Sequence, residues 1–185
     1  MKFYRFTYVA VSYLLLIAIY LINQGIAIGS IMKGIGMPCP EIDLPNIVSY
    51  ITYLAIDVFC SWIMKKKFKN LEDIIPIRAD NIKKISPTGD SFLVSFFAYI
   101  FLGLSINNNY MLATVYIALT IMCFATQLYL YNPIFLLFGY NYYNVSTKNG
   151  LTVIILTKQK FGLNTNVDFP NLRRLNDYTY IDLKS

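Results

Sequence analysis

Residues 65–90 read KKKFKNLEDIIPIRADNIKKISPTGD, a charged stretch set between long apolar runs. Seven cations fall within it: Lys65, Lys66, Lys67, Lys69, Arg78, Lys83 and Lys84. Loops beside membrane spans concentrate Lys and Arg on the inner side, so this stretch sets sidedness and the other segments follow from it. The surrounding chain has 185 residues, 56% apolar and only 14% charged, where a soluble domain carries about 25% charged residues. The missing charge is concentrated in four runs. A single soluble core cannot hide so much apolar surface, so lipid is the expected solvent for them.

Upstream, residues 6–32 carry no charge and are long enough for a spanning helix. A secretory signal has an apolar core of only about 7–15 residues and accounts for this run poorly. Asn23 and Gln24 precede Gly25 and Gly29, a small-xxx-small pair that admits a close helix neighbour, while amides in lipid seek partners across such an interface. Residues 33–43 hold Gly34, Gly36, Pro38 and Pro40 and read as a turn. The second run, 45–64, contains Asp57, the one acid inside any of the four. Helical spacing aligns Tyr50, Tyr53, Asp57, Ser61 and Met64 on one face, expected to point into a bundle or an oligomer axis. Asp57 is a candidate for a proton relay or ion site, or for a structural hydrogen bond to a neighbouring Tyr or Ser. Trp62 followed by Lys65, Lys66, Lys67 and Lys69 reads as an anchor at headgroup depth. Each such lysine contributes about 1 kcal/mol of attraction to an anionic leaflet.

Downstream, Ile74, Ile75, Ile77, Ile82 and Ile85 are scattered among charges without helical period and predict one or two short strands. Residues 92–106 form the shortest apolar run, and Asn107, Asn108 and Asn109 make a polar turn. The fourth run starts at Tyr110 and is kinked or ended near Asn132-Pro133. Tyr116, Thr120, Cys123, Gln127 and Tyr131 share its inward face. Past Tyr140 the pattern becomes β-like: 142–147 and 151–157 flank Asn149-Gly150, the favoured pair for a type I′ hairpin, and 178–183 alternates as a further strand. The second hairpin strand is apolar on both faces and requires cover on both sides.

The expected class is a membrane all-α protein. Its four transmembrane helices lie at about 6–32, 45–64, 91–107 and 110–133, with a cytosolic basic loop at 65–90 and a cytosolic β-rich tail at 140–185. Loop and tail together are expected to build one small β module, since an isolated hairpin is marginal in water. Four spans place both termini on one side, which then carries fifteen of the sixteen cations, Lys33 being the exception. The positive-inside rule orients that side to the cytosol, so the expected location is a bacterial inner membrane, multi-pass, with both termini inside.

The chain has no histidine, which removes Ser-His-Asp and Cys-His catalysis together with the commonest metal ligand. Cys39, Cys60 and Cys123 are widely spaced, and no metal-ligand spacing or phosphate-binding loop occurs. No catalytic residue, metal or cofactor is expected. The +6 net charge reads as inner-face bias and contact with membrane lipid, with no direct nucleic-acid binding. Arg173, Arg174 and Tyr178 form a candidate docking patch for a partner protein. A second function class, a small oligomeric channel or transporter subunit, rests on the polar face around Asp57.

Residues 131–140 (YNPIFLLFGY), the Asn149-Gly150 hairpin and residues 171–180 (NLRRLNDYTY) resemble the KwaA family, the membrane subunit of the bacterial Kiwa anti-phage defence system. Chain length and layout agree over the whole chain. The resemblance implies an inner-membrane homo-oligomer, a tetramer, that senses phage attack at the envelope and works with a cytosolic DNA-binding effector, KwaB. It carries over no catalytic residue.

Overall fold

The computed structural model describes residues 2–36, 46–69, 71, 74–126, 131–161 and 167–183. Two helices, α1 (Lys2–Ser12) and α2 (Leu14–Asn23), form a nearly continuous rod. At the joint the ladder tightens: the Tyr13 N–H bonds Ala10 O at 3.2 Å and the Leu16 N–H bonds Tyr13 O at 3.1 Å. The rod ends at Gly25, whose φ of 62° is cheap only without a Cβ. The Gly25 N–H reaches Ile22 O and the Ile26 N–H reaches Leu21 O, the paired bonds that close a helix on a left-handed glycine. A separate short helix, α3 (Ile28–Gly34), follows. The first expected span is therefore broken inside its apolar run, and Gly25 and Gly29 do not share a helix.

The long helix α4 (Asn46–Phe68) leads to β1 (Ile74–Ile77), a 3-10 turn at Ala79–Asn81 and β2 (Ile82–Pro87). Helices α5 (Gly89–Ser105) and α6 (Asn109–Thr126) come next, then a short turn of helix, α7 (Ile134–Leu137). The chain finishes with β3 (Asn141–Thr147), β4 (Thr152–Thr157), β5 (Phe169–Arg174) and β6 (Thr179–Asp182). This is a mixed α/β architecture, which corrects the all-α expectation. Two helical segments, Phe6–Asn23 and Ile47–Phe68, are long and apolar enough to cross a membrane, while Leu93–Ser105 and Asn109–Ala125 are shorter. The reason is visible at α5. It starts only after β2 and ends before the asparagine turn, so its 17 residues rise about 25 Å, short of a ~30 Å hydrocarbon core.

All six strands join one sheet in the order β1-β5-β6-β4-β3-β2. Strands from the basic loop thus pair with strands from the tail, as two-segment pairing predicts: β1 runs antiparallel to β5 and β2 antiparallel to β3. The parallel β4–β6 pair sits between the antiparallel ones. β1 and β2 occupy opposite edges, yet only residues 78–81 connect them. Five flat strand spacings need about 24 Å, whereas so short a link spans at most about 18 Å. The sheet must curl until its edges approach, and the Lys148 N–H bond to Asn81 O at 2.8 Å ties the β3 end to the link.

Curling gives the sheet an inner and an outer face. Tyr143, Val145, Val153, Ile155, Phe169 and Leu172 fill the inside. Tyr142, Ile154, Leu156 and Ile181 join Tyr8, Phe68 and Phe135 from the helical layer in the larger core. β4 therefore does have both faces covered. In the helical layer the α1–α2 rod is central, with α1 against α4 and α6 and α2 against α4 and α5.

Gly103 lies at a close approach between α5 and α2. A Cβ there would meet Ile19 Cγ2 at 2.7 Å, Ile19 Cβ at 2.9 Å and Leu16 O at 3.2 Å. Neither the branched Ile19 Cβ nor the backbone oxygen can swing aside. Gly103→Val is expected to lower stability by about 1–3 kcal/mol, read as a reduced thermal midpoint in detergent, with Ile19→Ala restoring part of it. An unchanged midpoint in Gly103→Val would show that α2 and α5 are not in contact.

Candidate functional site

On α4, Tyr53, Asp57, Ser61 and Met64 are all buried, because the helix turns this face to the α1–α2 rod rather than outward. Asp57 is only 2% exposed, and among the described residues neither carboxyl oxygen has a hydrogen-bond partner. It lines an apolar cleft of about 300 Å³ together with Leu14, Ala18 and Leu21 of α2, Ile31 of α3 and Tyr53. The cleft lies where α3, set off from α2 by the left-handed Gly25, faces α2 and α4. Two bonds secure that break to α4: the Tyr53 hydroxyl donates to Ile26 O at 2.8 Å, and the Ile28 N–H donates to Ser49 Oγ at 3.1 Å.

One helical turn past Asp57, Ser61 Oγ accepts a 3.3 Å bond from Asn132 Nδ2. Asn132 is 1% exposed and works in three directions. Its Oδ1 accepts from the Ile134 N–H at 2.9 Å and caps α7. Its backbone N–H donates to the Tyr142 hydroxyl, which in turn donates to Asn132 O, both at 3.0 Å. Tyr142 stands on β3, and burial pushes its phenol well above the ordinary range. A continuous polar seam thus runs from the α4 face beside Asp57, through Ser61 and Asn132, into the sheet. Here a side chain of α4, the 131–134 turn and a strand meet through hydrogen bonds as well as apolar contact.

The remaining sequence-predicted residues are dispersed. Asn23 Nδ2 donates to Leu104 O at 3.2 Å and Gln24 Nε2 to Ile106 O at 3.3 Å, tying the end of α2 to the end of α5. Gly25 closes α2, Gly29 lies in α3, and Gln127 falls outside the described residues. Lys65, Lys66, Lys67 and Lys69 cluster at the C-terminal end of α4, where cations suit the helix dipole. Arg173 lies within β5, and its guanidinium donates to Leu71 O. Arg174 pairs with Asp177. Of the three docking candidates only Tyr178 is exposed, at 43%.

Asn132 and Gly103 escaped sequence reasoning as site residues. Asn132 is recognisable in the sequence only as half of an Asn-Pro break, and nothing in a lone Gly within an apolar run names its partner. Among the described residues no group of three metal-ligating side chains gathers. The arrangement suits packing and transmission.

No curated protein and no solved structure matches the chain. Residues 4–181 match the family described as anti-phage protein KwaA. That match covers nearly the whole of the helical layer and the curled sheet, so the chain belongs to the KwaA anti-phage family and its role is in defence against phage.

Proposed function

We propose that this protein is the membrane-embedded sensing and scaffolding subunit of an anti-phage defence complex. The helical layer sits in the bacterial inner membrane, and the sheet faces the cytosol, where it recruits or signals to a soluble effector such as KwaB. The observation that carries this reading is the apolar belt on the outside of the helices. Ile47, Ile51 and Phe59 on α4, Val94 and Phe101 on α5 and Ile121 on α6 are each between 58% and 70% exposed. A soluble monomer rarely shows apolar patches beyond a few hundred Å², and lipid is the solvent that covers such a belt without cost. Crossing is carried by the α1–α2 rod and α4, the two segments long and apolar enough for it. The α5–α6 hairpin packs along the rod, so that the end of α5 lies beside the end of α2. The Lys65 cluster stands at the sheet end of α4, which orients that end inward.

In this reading the polar seam is the route by which a disturbance among the helices reaches the sheet. Assembly into a tetramer and docking of the effector at the exposed turn around Tyr178 belong to the same proposal. Two measurements test it. After alkaline washing of membranes the chain is expected in the pellet, and recovery in the supernatant would remove the embedding. A photo-crosslinker at position 178 is expected to capture the effector in cells under phage challenge, while capture only from the helical side would move the docking surface.

A channel or transporter subunit is the second reading, favoured by the unpartnered Asp57 carboxyl. Its cleft is otherwise almost wholly apolar, and a conducting path needs further polar groups. Ion flux in liposomes that disappears in Asp57→Asn would establish it, and silence would dismiss it.

A further inference from the structure

A second feature lies on the opposite side of α4 from Asp57. Ile51, Leu54, Val58 and Trp62 line an open groove that ends against Phe138, with a volume of about 460 Å³ and almost no polar surface. From Ile51 to Trp62 the helix rises about 16 Å, the depth of one leaflet of a ~30 Å hydrocarbon core. At the Trp62 end the cations converge from two distant parts of the chain. Lys65 Nζ lies 5.4 Å from the Phe138 ring centre and 5.3 Å from that of Tyr140. Lys158, which follows β4, places its Nζ 5.5 Å from the same Tyr140 ring. Lys66 Nζ sits 3.5 Å above Trp62.

Two ammonium groups therefore share one aromatic ring, and Lys65 also feels the repulsion of Lys158 and Lys69. Among the described residues no carboxylate forms an ion pair with Lys65 or Lys66. Like charges gathered at a membrane-facing edge attract an anionic headgroup. The groove leading away from them admits a hydrocarbon tail. From this juxtaposition we propose that the Trp62–Phe138 groove and the Lys65–Lys158 pair form a binding site for an anionic phospholipid of the sheet-side leaflet. Its phosphate lies between Lys65 and Lys158, and one acyl chain lies along α4. The site spans both halves of the fold, since Lys65 belongs to a membrane-crossing helix and Lys158 to the sheet. A bound headgroup therefore fastens the sheet to the membrane surface.

This inference rests on the membrane embedding proposed above. The test reconstitutes the full chain in nanodiscs of phosphatidylcholine containing a minority of phosphatidylglycerol, and native mass spectrometry reads the lipid retained on the released protein. Phosphatidylglycerol is expected to be enriched over its bulk fraction. The Lys65→Gln/Lys158→Gln variant is expected to lose that enrichment by about thirtyfold, from about 1 kcal/mol per lysine at the surface. Ala55→Trp, which fills the groove from an exposed position, should lose it as well. Lys83→Gln/Lys84→Gln, on the exposed edge strand β2, should retain it and thereby separates a site from diffuse attraction. Reconstitution without phosphatidylglycerol enrichment, or with enrichment equal in the Lys65/Lys158 variant, would overturn the lipid site and leave the embedding intact. Failure to enter nanodiscs at all would overturn both.

Discussion

Asn132→Ala is expected to be among the most destabilising single substitutions outside the apolar core. The loss is about 2–4 kcal/mol, measured as a drop in thermal or denaturant midpoint in detergent. The side chain satisfies two buried groups at once, donating to Ser61 Oγ and capping the Ile134 N–H. Truncation orphans the cap donor, and an unsatisfied buried group costs about 1–3 kcal/mol. It also opens a small void beside Tyr142 and Phe135, where neighbours only partly relax. Ser61→Ala removes the longer bond and leaves the buried Asn132 Nδ2 unpaired, so it is expected to cost about 1–2 kcal/mol. Tyr142→Phe strips the hydroxyl that both accepts from and donates to the Asn132 backbone. Because the Asn132 side chain fixes the turn whose backbone Tyr142 binds, the Asn132→Ala/Tyr142→Phe double variant should be less destabilised than the two singles added together. Simple additivity would mean that Asn132 and Tyr142 act independently, and the seam would then be no route between helices and sheet. A midpoint unchanged in Asn132→Ala would show that the junction is not built as described.

How much of this was legible beforehand depends on the range of the interaction involved. Turn chemistry is local, so Asn149-Gly150 announced the β3–β4 hairpin. The loop is nonetheless the three residues 148–150, with the Gly150 N–H on Thr147 O at 3.0 Å, rather than a two-residue type I′ turn. Gly150 has φ 82°, and the Thr147 N–H closes the loop on Leu151 O at 2.8 Å. The two-faced apolar pattern of β4 is likewise local and correctly demanded cover on both sides. Asp57 stood out because an acid in an apolar run needs no partner to be noticed. The break at Gly25 was hidden because apolar residues continue on both sides of it, and hydropathy does not register a left-handed φ. β5 was missed because Phe-Pro-Asn-Leu-Arg-Arg carries a proline and two charges. Its strand character comes from β1 and β6 on either side, with Phe169 and Leu172 turned into the curl. Arg173 and Arg174 looked like a free basic patch for the same reason. In place they are fastened to Leu71 and Asp177. Gly103 acquires meaning only from Ile19, eighty-odd residues away. Four spans were overcounted because apolar content was read as crossing length, whereas α5 is held between β2 and the asparagine turn.

Asp57→Leu is expected to raise the stability of the resting protein and to abolish protection against phage. The carboxyl is buried, with both oxygens unpartnered among the described residues, in a cleft lined by Leu14, Ala18, Leu21 and Ile31. Such a group costs the fold about 1–3 kcal/mol, and a leucine of comparable reach recovers that cost while filling part of the void. For a chain of this size the gain corresponds to a rise of roughly 2–4 °C in midpoint per kcal/mol. Asp57→Asn keeps the shape and replaces one acceptor by a donor, so it should change stability less and protection as much. The two readouts moving in opposite directions is the informative outcome. A group that weakens the resting state is relieved when a hydrogen-bond donor enters the cleft or when α3 shifts away from it, and the conformation that relieves it gains population accordingly. Ser61, one turn along the same face, carries the Asn132 bond into β3, so a rotation or shift of α4 at Asp57 is felt at the sheet. If Asp57→Leu protects as well as the parent chain, the carboxyl has no part in sensing. If it melts lower, the carboxyl has a stabilising partner in the membrane, and a second copy of the chain is the first place to look.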